Sequence, residues 1–234
     1  MEEIHLIVQY DTQSLISEAY RAIRTNLQFA LAGETMRRIG FTSATPGEGK
    51  SVTISNMALS TAQDGKRVLL MDCDMRRPMQ HKIFELQGRG LSDCIAMNAS
   101  FEEVVCREVF PNLDILVSGP VPPNPSELLG SAGMKTILKH VEIAYDYVFI
   151  DMPPILAVTD ASVLASQVEG IILVVKSGIV SPKEVKTAKR ILQQGGANLL
   201  GVILNAVPNR QYGGYGYYYY YDEEHHAQHT KREK

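Results

Sequence analysis

The chain has 234 residues, of which 45% are hydrophobic and 21% charged, and its formal net charge is −3. This length supports one sizeable hydrophobic core, and the near-neutral charge argues against a nucleic-acid partner. No apolar run exceeds five residues and the sequence starts M-E-E-I-H, so we expect neither a membrane span nor a signal peptide. Three cysteines without a C-x-x-C spacing favour a reduced, cytoplasmic protein over a disulfide framework or a zinc site.

The elements predicted in chain order alternate between strand and helix. An amphipathic helix is expected over 14–29, and from residue 38 to 207 short β-rich runs alternate with longer helical segments. This alternation predicts an α/β fold with a doubly wound, mostly parallel sheet. The predicted strands are 38–43, 67–72, 113–117, 147–151, 170–175 and 200–205, and the predicted helices between them include 51–63, 126–144 and 182–194.

Three regions follow from this pattern, within one structural domain overall. Residues 1–37 form a helical N-terminal segment, residues 38–209 form the core, and residues 210–234 form a tail. The tail combines Gly, Tyr, His and charged residues without a periodicity that could pack, so we expect it to be disordered. It also holds seven of the 11 tyrosines of a chain that has no tryptophan.

A glycine-rich loop, A-T-P-G-E-G-K-S, joins the first predicted core strand to a helix. Its glycines let backbone N–H groups turn toward an anion, and the helix N-terminus adds partial positive charge at the same place. This strand–loop–helix context predicts a phosphate-binding loop, although Ala44 stands where the G-x-x-x-x-G-K-[ST] pattern has its first glycine. The predicted nucleotide-binding residues are Thr45, Pro46, Gly47, Glu48, Gly49, Lys50, Ser51 and Val52, with Lys50 on the phosphates and Ser51 on Mg²⁺.

Three aspartates lie at the carboxyl ends of predicted strands. Asp72 and Asp74 belong to M-D-C-D-M-R, where their spacing points both carboxylates to one side, and Asp151 ends the strand Y-V-F-I-D. Strand ends of this kind form the ligand-binding edge of a doubly wound sheet. An acid that follows a hydrophobic strand also matches the Walker B arrangement for Mg²⁺. Taken singly, each aspartate could instead cap the following helix.

Together these motifs resemble the bacterial tyrosine kinases (BY-kinases), P-loop proteins related to the Min/Par ATPases. The resemblance also covers S-E-A-Y-R-A-I-R-T-N-L-Q-F, P-P-N-P-S-E-L-L and the tyrosine cluster. It implies ATP and Mg²⁺ as cofactors. It further implies that Asp72 activates the tyrosine hydroxyl and helps to hold Mg²⁺, that Asp74 supports this site and that Asp151 acts on Mg²⁺. Arg76 completes the motif, and Lys50 completes the catalytic set.

The main alternative is a Min/Par-type switch ATPase without kinase activity. In that class a lysine five residues before the loop lysine crosses to the partner subunit, and here Thr45 occupies that position. The tyrosine-rich end also differs from the amphipathic basic helix of the membrane-binding Min proteins. Asn205 ends the last predicted strand, where related ATPases often place an adenine-binding asparagine; a simple turn-forming role is an equal alternative.

The tail offers candidate phosphorylation sites. It leaves the sheet at the edge that carries the phosphate loop, and the 12 residues from Asn205 to Tyr217 span at most roughly 40 Å. The resemblance implies autophosphorylation in trans, whereas composition alone would indicate an adhesive low-complexity tail. The candidate tyrosines are Tyr212, Tyr215, Tyr217, Tyr218, Tyr219, Tyr220 and Tyr221.

Partners are implied by the N-terminal helix and by the resemblance. Glu18, Arg21 and Arg24 share one arc of a helix, where an exposed intrahelical ion pair is the simple reading. Their match to the family's E-x-x-R-x-x-R motif implies instead an interface between subunits of a homo-oligomeric ring. The resemblance further implies a separate transmembrane activator and exogenous protein substrates. It implies a role in capsular or extracellular polysaccharide synthesis or export. It also implies that this chain is cytoplasmic and is held at the inner face of the membrane by its partner.

Overall fold

A computed structural model describes residues 5–31 and 38–208. These residues form a seven-stranded sheet in the order β3-β4-β2-β5-β1-β6-β7, in which every neighbouring pair is parallel except β3 and β4. The predicted mostly parallel α/β sheet is therefore confirmed. The strands are β1 (Arg38–Ser43), β2 (Val68–Asp72), β3 (Cys106–Phe110), β4 (Leu113–Leu116), β5 (Tyr147–Asp151), β6 (Gly170–Lys176) and β7 (Leu199–Asn205).

Helices cover both faces of this sheet. The predicted helix at 182–194 is present with its predicted signals, because Ser181 caps its N-terminus, Pro182 follows, and Gly195 is its C-cap. No helix within the described ranges is long and apolar enough to cross a bilayer. The helices are α1 (Ile7–Tyr10), α2 (Leu15–Ala30), α3 (Lys50–Gln63), α4 (Gln80–Ile83), α5 (Leu91–Ile95), α6 (Phe101–Val104), α7 (Pro125–Leu129), α8 (Ala132–Ala144), α9 (Asp160–Ala165) and α10 (Pro182–Gln194).

Alternating strand side chains build two cores, one on each face of the sheet. On β2, Leu69 and Met71 join the core that also holds residues of α5, α7, α8 and α9, whereas Leu70 joins the core on the side of α2 and α3. Strand β5 divides its side chains in the same way, with Ile150 on the first side and Phe149 on the second. Because both faces are covered, the central strands are apolar throughout, which explains why they could be recognised in the sequence.

The N-terminal helix α2 packs against α3. Leu27 is buried in the same core as Met57 of α3. Arg24 donates from Nη1 to the Ser60 carbonyl at 2.7 Å and its Nη2 lies 3.3 Å from Asp64 Oδ1. One of the three residues predicted at a subunit interface therefore binds its own chain.

The remaining two interface candidates form an exposed pair on α2. The guanidinium of Arg21 lies 2.6 Å from the Glu18 carboxylate and also donates to the Thr12 carbonyl. Their side chains are 37% and 62% exposed, respectively, so both are accessible from solvent. A role at a subunit interface remains a prediction for these residues.

The sequence pattern missed one strand and joined two helices into one. The edge strand β3 was not predicted, because its middle residues Arg107 and Glu108 are exposed and polar and interrupt the apolar pattern that marks the other strands. The single helix expected over 126–144 is two helices: α7 ends at the C-cap Gly130, and Ser131 accepts a hydrogen bond from the Met134 N–H to begin α8.

Gly90 provides a test of the packing between the loop before α5 and the end of β4. A Cβ at this residue would lie 2.2 Å from the Val117 carbonyl oxygen and 2.5 Å from the Gly119 nitrogen, both backbone atoms. We expect Gly90→Ala to lower the free energy of unfolding by about 2 kcal/mol, since the backbone must shift to accept the methyl group. Urea denaturation measures this loss.

Gly201→Ala is the matched control for that substitution. A Cβ at Gly201 meets open space within 4 Å, so its stability should stay within about 0.5 kcal/mol of the wild type. Equal unfolding free energies for the two variants would contradict the packing described for Gly90.

Candidate active site

The predicted phosphate loop connects β1 to the N-terminus of α3, at the carboxyl edge of the sheet. Gly47 and Gly49 both have φ of +83°, a conformation that favours glycine. At Gly49 a Cβ would also lie 2.2 Å from Nδ2 of Asn205, so a larger residue would displace the Asn205 side chain. The two glycines therefore serve backbone shape and close approach, as the sequence pattern indicated.

Glu48 closes the loop on itself. Its Oε1 accepts from the backbone N–H of Thr45 at 2.5 Å and from the Thr45 hydroxyl at 3.1 Å, and its Oε2 accepts from the N–H of Lys176 at 3.2 Å. The side chain is 1% exposed. Glu48 thus ties the loop to the last residue of β6, a role that its place in the motif did not reveal.

Asn205, the neighbour of Lys176 on β7, contacts the backbone of the same loop residue. Its Nδ2 donates to the Glu48 carbonyl at 2.9 Å, and its Oδ1 accepts from the N–H of Ala206 at 2.9 Å. Both polar ends of the amide are engaged within the chain. The structure therefore gives Asn205 a contact with the phosphate loop, and adenine recognition remains a prediction.

Lys50 lies where oxygen atoms from three elements converge. Its Nζ is 2.5 Å from Oδ1 of Asp151, 3.6 Å from Oδ2 of Asp74 and 3.3 Å from the Ser51 hydroxyl. Burial alone would lower the pKa of Lys50, but the charges of Asp151 and Asp74 outweigh it and raise that pKa. The ammonium group of Lys50 therefore occupies the place toward which these oxygens point, and oxygen atoms are the ligands that Mg²⁺ takes.

The two aspartates of M-D-C-D-M-R have different surroundings. Asp72 is fully buried, and its Oδ2 accepts the N–H groups of Met79 and Gln80, each at 2.9 Å. Burial, followed by the charge of Asp151, raises the pKa of Asp72 to about 8, although those N–H groups oppose the shift. Asp74 comes after the strand end and lines the cavity beside Lys50, and burial raises its pKa while Lys50 opposes that shift.

Arg76 forms a forked ion pair with Asp160, the first residue of α9. The distances are 2.8 Å from Nε to Oδ2 and 3.1 Å from Nη2 to Oδ1. Asp160 is fully buried, so the pair connects the loop after β2 to α9. The motif includes Arg76, but no local pattern indicates Asp160 as its partner, because the two residues are 84 positions apart in the chain.

Gln80 was also missed. It is fully buried at the start of α4, and its Nε2 donates to Oδ2 of Asp151 at 2.7 Å. A lone glutamine in M-R-R-P-M-Q-H carries no spacing signal, because its partners come from distant segments of the chain.

Beside these groups, at the carboxyl edge of the sheet, lies a cavity of about 450 Å³, whose lining includes Lys50 and Asp74 but neither Asp72 nor Asp151. All predicted loop residues from Pro46 to Val52 line it, whereas Thr45 faces Glu48 instead. The candidate tyrosines of the tail lie outside the described residues. The remaining lining residues are Ser43, Asp74, Arg76, Arg77, Met79, Pro153, Pro154, Ala157 and Val158.

Replacing Lys50 tests the buried ion pair. In Lys50→Met, Asp151 and Asp74 lose their cation, so we expect the free energy of unfolding to fall by about 3 kcal/mol at pH 8. The loss should shrink toward pH 5, because Lys50 holds down the pKa of Asp74, which burial already raises. Without Lys50 the Asp74 carboxyl binds a proton more readily in the folded than in the unfolded chain, and this favours folding at low pH.

Urea denaturation of the wild type and Lys50→Met at both pH values measures this difference. Lys189→Met, on the exposed surface of α10, controls for the loss of a lysine. A Lys50→Met effect that does not change with pH would contradict the electrostatic account.

Comparison with known proteins identifies the family. A family model described as an AAA domain matches residues 36–186. The tyrosine-protein kinase YwqD of Bacillus subtilis is 43% identical over 214 residues, which cover 91% of this chain and 90% of that protein.

Solved structures agree with this relationship. The crystal structure of the chimerical protein CapA2B2 is similar with a TM-score of 0.84 and 39% identity, covering 87% of this chain and 90% of that one. The kinase domain of the Escherichia coli tyrosine kinase ETK is similar with a TM-score of 0.86 and 35% identity, covering 94% of this chain and 86% of that one. With its nucleotide-binding P-loop fold and these relatives, the chain belongs to the family of bacterial tyrosine-protein kinases.

Proposed function

We propose that this chain is an ATP-dependent protein-tyrosine kinase that phosphorylates the tyrosine cluster of a neighbouring copy. The single observation that carries the proposal is the convergence of Lys50, Asp151 and Asp74 at the end of the phosphate loop, where Lys50 and Asp74 line one cavity and the buried Asp151 pairs with Lys50. This arrangement supplies a positive charge for phosphates, oxygen donors for a metal and a carboxylate for a hydroxyl proton. The switch-ATPase alternative has no comparable support, because the kinase YwqD matches nine tenths of the chain.

ATP binding uses the loop and the start of α3. Backbone N–H groups around Gly47 and Gly49 and the N-terminus of the 14-residue α3 favour the phosphate anions. In the proposed mechanism the Lys50 ammonium leaves Asp151 for these phosphates, since the triphosphate offers more negative charge. The hydrogen bonds of Asn205 and Glu48 hold the conformation of the loop.

The donor set fits Mg²⁺ together with a nucleotide. No group of three or more His, Cys, Asp or Glu side chains within the described ranges could hold a metal ion by itself. Mg²⁺, however, usually takes one or two carboxylates together with substrate phosphates and water. We assign Ser51, Asp151 and Asp72 to this role; when bound, Mg²⁺ neutralises charge on the β- and γ-phosphates.

Phosphoryl transfer requires a base for the tyrosine hydroxyl. The phenolic oxygen attacks the γ-phosphorus, the bond to the β-γ bridging oxygen breaks, ADP leaves, and the phenolic proton goes to a carboxylate. Asp74 lines the cavity, and the buried carboxylate of Asp72 accepts the N–H of Asp74 at 3.2 Å. We propose that Asp72 acts as the base, that Asp74 supports it, and that Arg76 holds the connecting loop through Asp160.

The proposed substrate is the tail of another subunit. In this proposal the core, 38–209, catalyses phosphoryl transfer. The segment 1–37 forms the interface between subunits, and the segment 210–234 supplies the tyrosines. Glu18 and Arg21 are accessible on α2 for a contact that closes a ring, whereas Arg24 supports that surface from within its own chain. Exogenous protein substrates would use the same cavity.

The proposed cellular role is regulation of capsular or extracellular polysaccharide synthesis or export. In the proposed arrangement the chain is cytoplasmic and reaches the inner face of the membrane through a separate transmembrane activator.

The kinase proposal is tested by incubating the chain with Mg²⁺-ATP, with and without the cytoplasmic segment of a candidate activator. We expect phosphate on the tyrosines between Tyr212 and Tyr221, detected by phosphotyrosine mass spectrometry. Lys50→Met should reduce the rate at least about 100-fold, because it removes the charge that holds the phosphates.

A chain truncated after Asn209 is the matched substrate control. It should lose its own phosphorylation and still phosphorylate the tail of a Lys50→Met copy, which distinguishes transfer in trans from transfer in cis. Release of phosphate without tyrosine modification under both conditions would favour the switch ATPase.

The interface proposal is tested by charge reversal on α2. Glu18→Arg should weaken the homo-oligomer about tenfold or more and leave folding intact, because Glu18 is exposed and its ion pair with Arg21 lies within one turn of α2. Sedimentation velocity reports the oligomer, and Glu142→Arg on α8 is a control with the same charge change. An unchanged oligomer in Glu18→Arg would count against this interface.

A further inference from the structure

Gln80 is a buried glutamine that contacts three of the elements that form the site. It is the first residue of α4, and no part of its side chain is exposed. Its Nε2 lies 2.7 Å from Oδ2 of Asp151, at the end of β5, and 3.3 Å from the carbonyl oxygen of Ser51 in α3. Its backbone N–H donates to Asp72, at the end of β2.

The orientation of the Gln80 amide is set by its neighbours. An ionised carboxylate and a backbone carbonyl can only accept hydrogen bonds, so the NH₂ group must face Asp151 and Ser51. The amide oxygen then faces the Ser55 hydroxyl at 2.7 Å, whose one proton is shared between this oxygen and the Ser51 carbonyl oxygen, also at 2.7 Å. Reversing the amide would place an acceptor against two acceptors, and one orientation is therefore strongly favoured.

This contact makes the two oxygens of Asp151 unequal. Oδ2 receives the Gln80 amide, whereas Oδ1 faces Lys50 at 2.5 Å. If Lys50 moves to the phosphates of a bound nucleotide, Oδ1 becomes the oxygen that faces the site, and its direction is already set by Gln80.

The same residue links this carboxylate to the phosphate loop. Ser51, the proposed hydroxyl ligand of Mg²⁺, offers its carbonyl to the Gln80 amide, and Ser55 holds the other end of that amide one turn further along α3. A shift of α3 relative to β5 would therefore strain the hydrogen bonds of a single buried side chain.

We propose that Gln80 is a positioning residue of the magnesium site, which directs Oδ1 of Asp151 toward the cation and keeps it in register with Ser51. The inference rests on the proposed function, because it assumes that Asp151 serves Mg²⁺ during nucleotide binding. Hydrogen bonds to metal-ligating carboxylates commonly change metal affinity by about 10- to 100-fold. Gln80 does not contact the nucleotide in this account, so its effect should depend on the metal.

The test measures ADP binding to the full chain by calorimetry, once with Mg²⁺ and once with excess EDTA. In Gln80→Met, a side chain of similar length without a donor, we expect the tightening of ADP binding by Mg²⁺ to fall about tenfold or more. ADP affinity in EDTA should stay within about twofold of the wild type. A merely structural role would change both affinities together or neither.

Two further variants make the test specific. Gln167→Met removes another amide that donates to backbone carbonyls, those of Leu129 and Val163, and it should leave both affinities unchanged. Ser55→Ala removes the donor to the Gln80 oxygen and should weaken the magnesium effect in the same direction. Ser55→Ala also provides the decisive measurement if Gln80→Met does not fold, which circular dichroism detects.

The outcome for Asp151→Asn separates the inference from the proposed function. In one outcome, Mg²⁺ no longer tightens ADP binding to Asp151→Asn but still tightens it in Gln80→Met and Ser55→Ala. The role of Gln80 is then overturned, and the proposed magnesium site stands. If Asp151→Asn also retains the full effect, the proposed role of Asp151 fails, and the inference for Gln80 fails with it. Loss of the effect in Asp151→Asn, Gln80→Met and Ser55→Ala, with Gln167→Met unchanged, supports both.

Discussion

The buried ion pair between Lys50 and Asp151 is the interaction on which the site depends. It joins the start of α3 to the end of β5, with both side chains at least nine-tenths buried. Burying two charges carries a desolvation cost that their attraction only partly offsets, so such a pair is weak evidence for stability as such. Its value here lies in geometry: the ammonium holds the oxygens of Asp151, Asp74 and Ser51 around one point before any ligand arrives.

The order of the strands explains how this point becomes a site. Across the carboxyl edge, β2 brings Asp72, β5 brings Asp151, β1 leads into the phosphate loop, and β7 brings Asn205 against Gly49. Neighbouring parallel strands end at the same edge, so groups that are far apart in the chain become neighbours. Through hydrogen bonds, Glu48 then connects the loop to β6, and Gln80 connects the end of β5 to α3.

Most of the fold was predictable because its signals are local. The central strands are continuous apolar runs, and α10 carries its own cap residues, so both could be recognised without knowledge of their neighbours. Strand β3 could not be recognised in this way, because an exposed edge strand needs no apolar run and is defined by its pairing with β4. The break between α7 and α8 had a local signal in Gly130 and Ser131, which was overlooked within a longer helical pattern.

By itself the sequence determined the phosphate loop, the three aspartates at strand ends and the family resemblance, because each is a short pattern that backbone conformation and chemistry impose on adjacent residues. Only the tertiary structure decided that Asp74 lines the cavity while Asp72 turns toward residues 79 and 80, and that Arg76 pairs with Asp160. It also decided that Arg24 binds its own chain and that Gln80 holds Asp151. The physical reason is that hydrogen-bond partners are chosen by distance in space, and the sheet brings together residues that no sequence spacing relates.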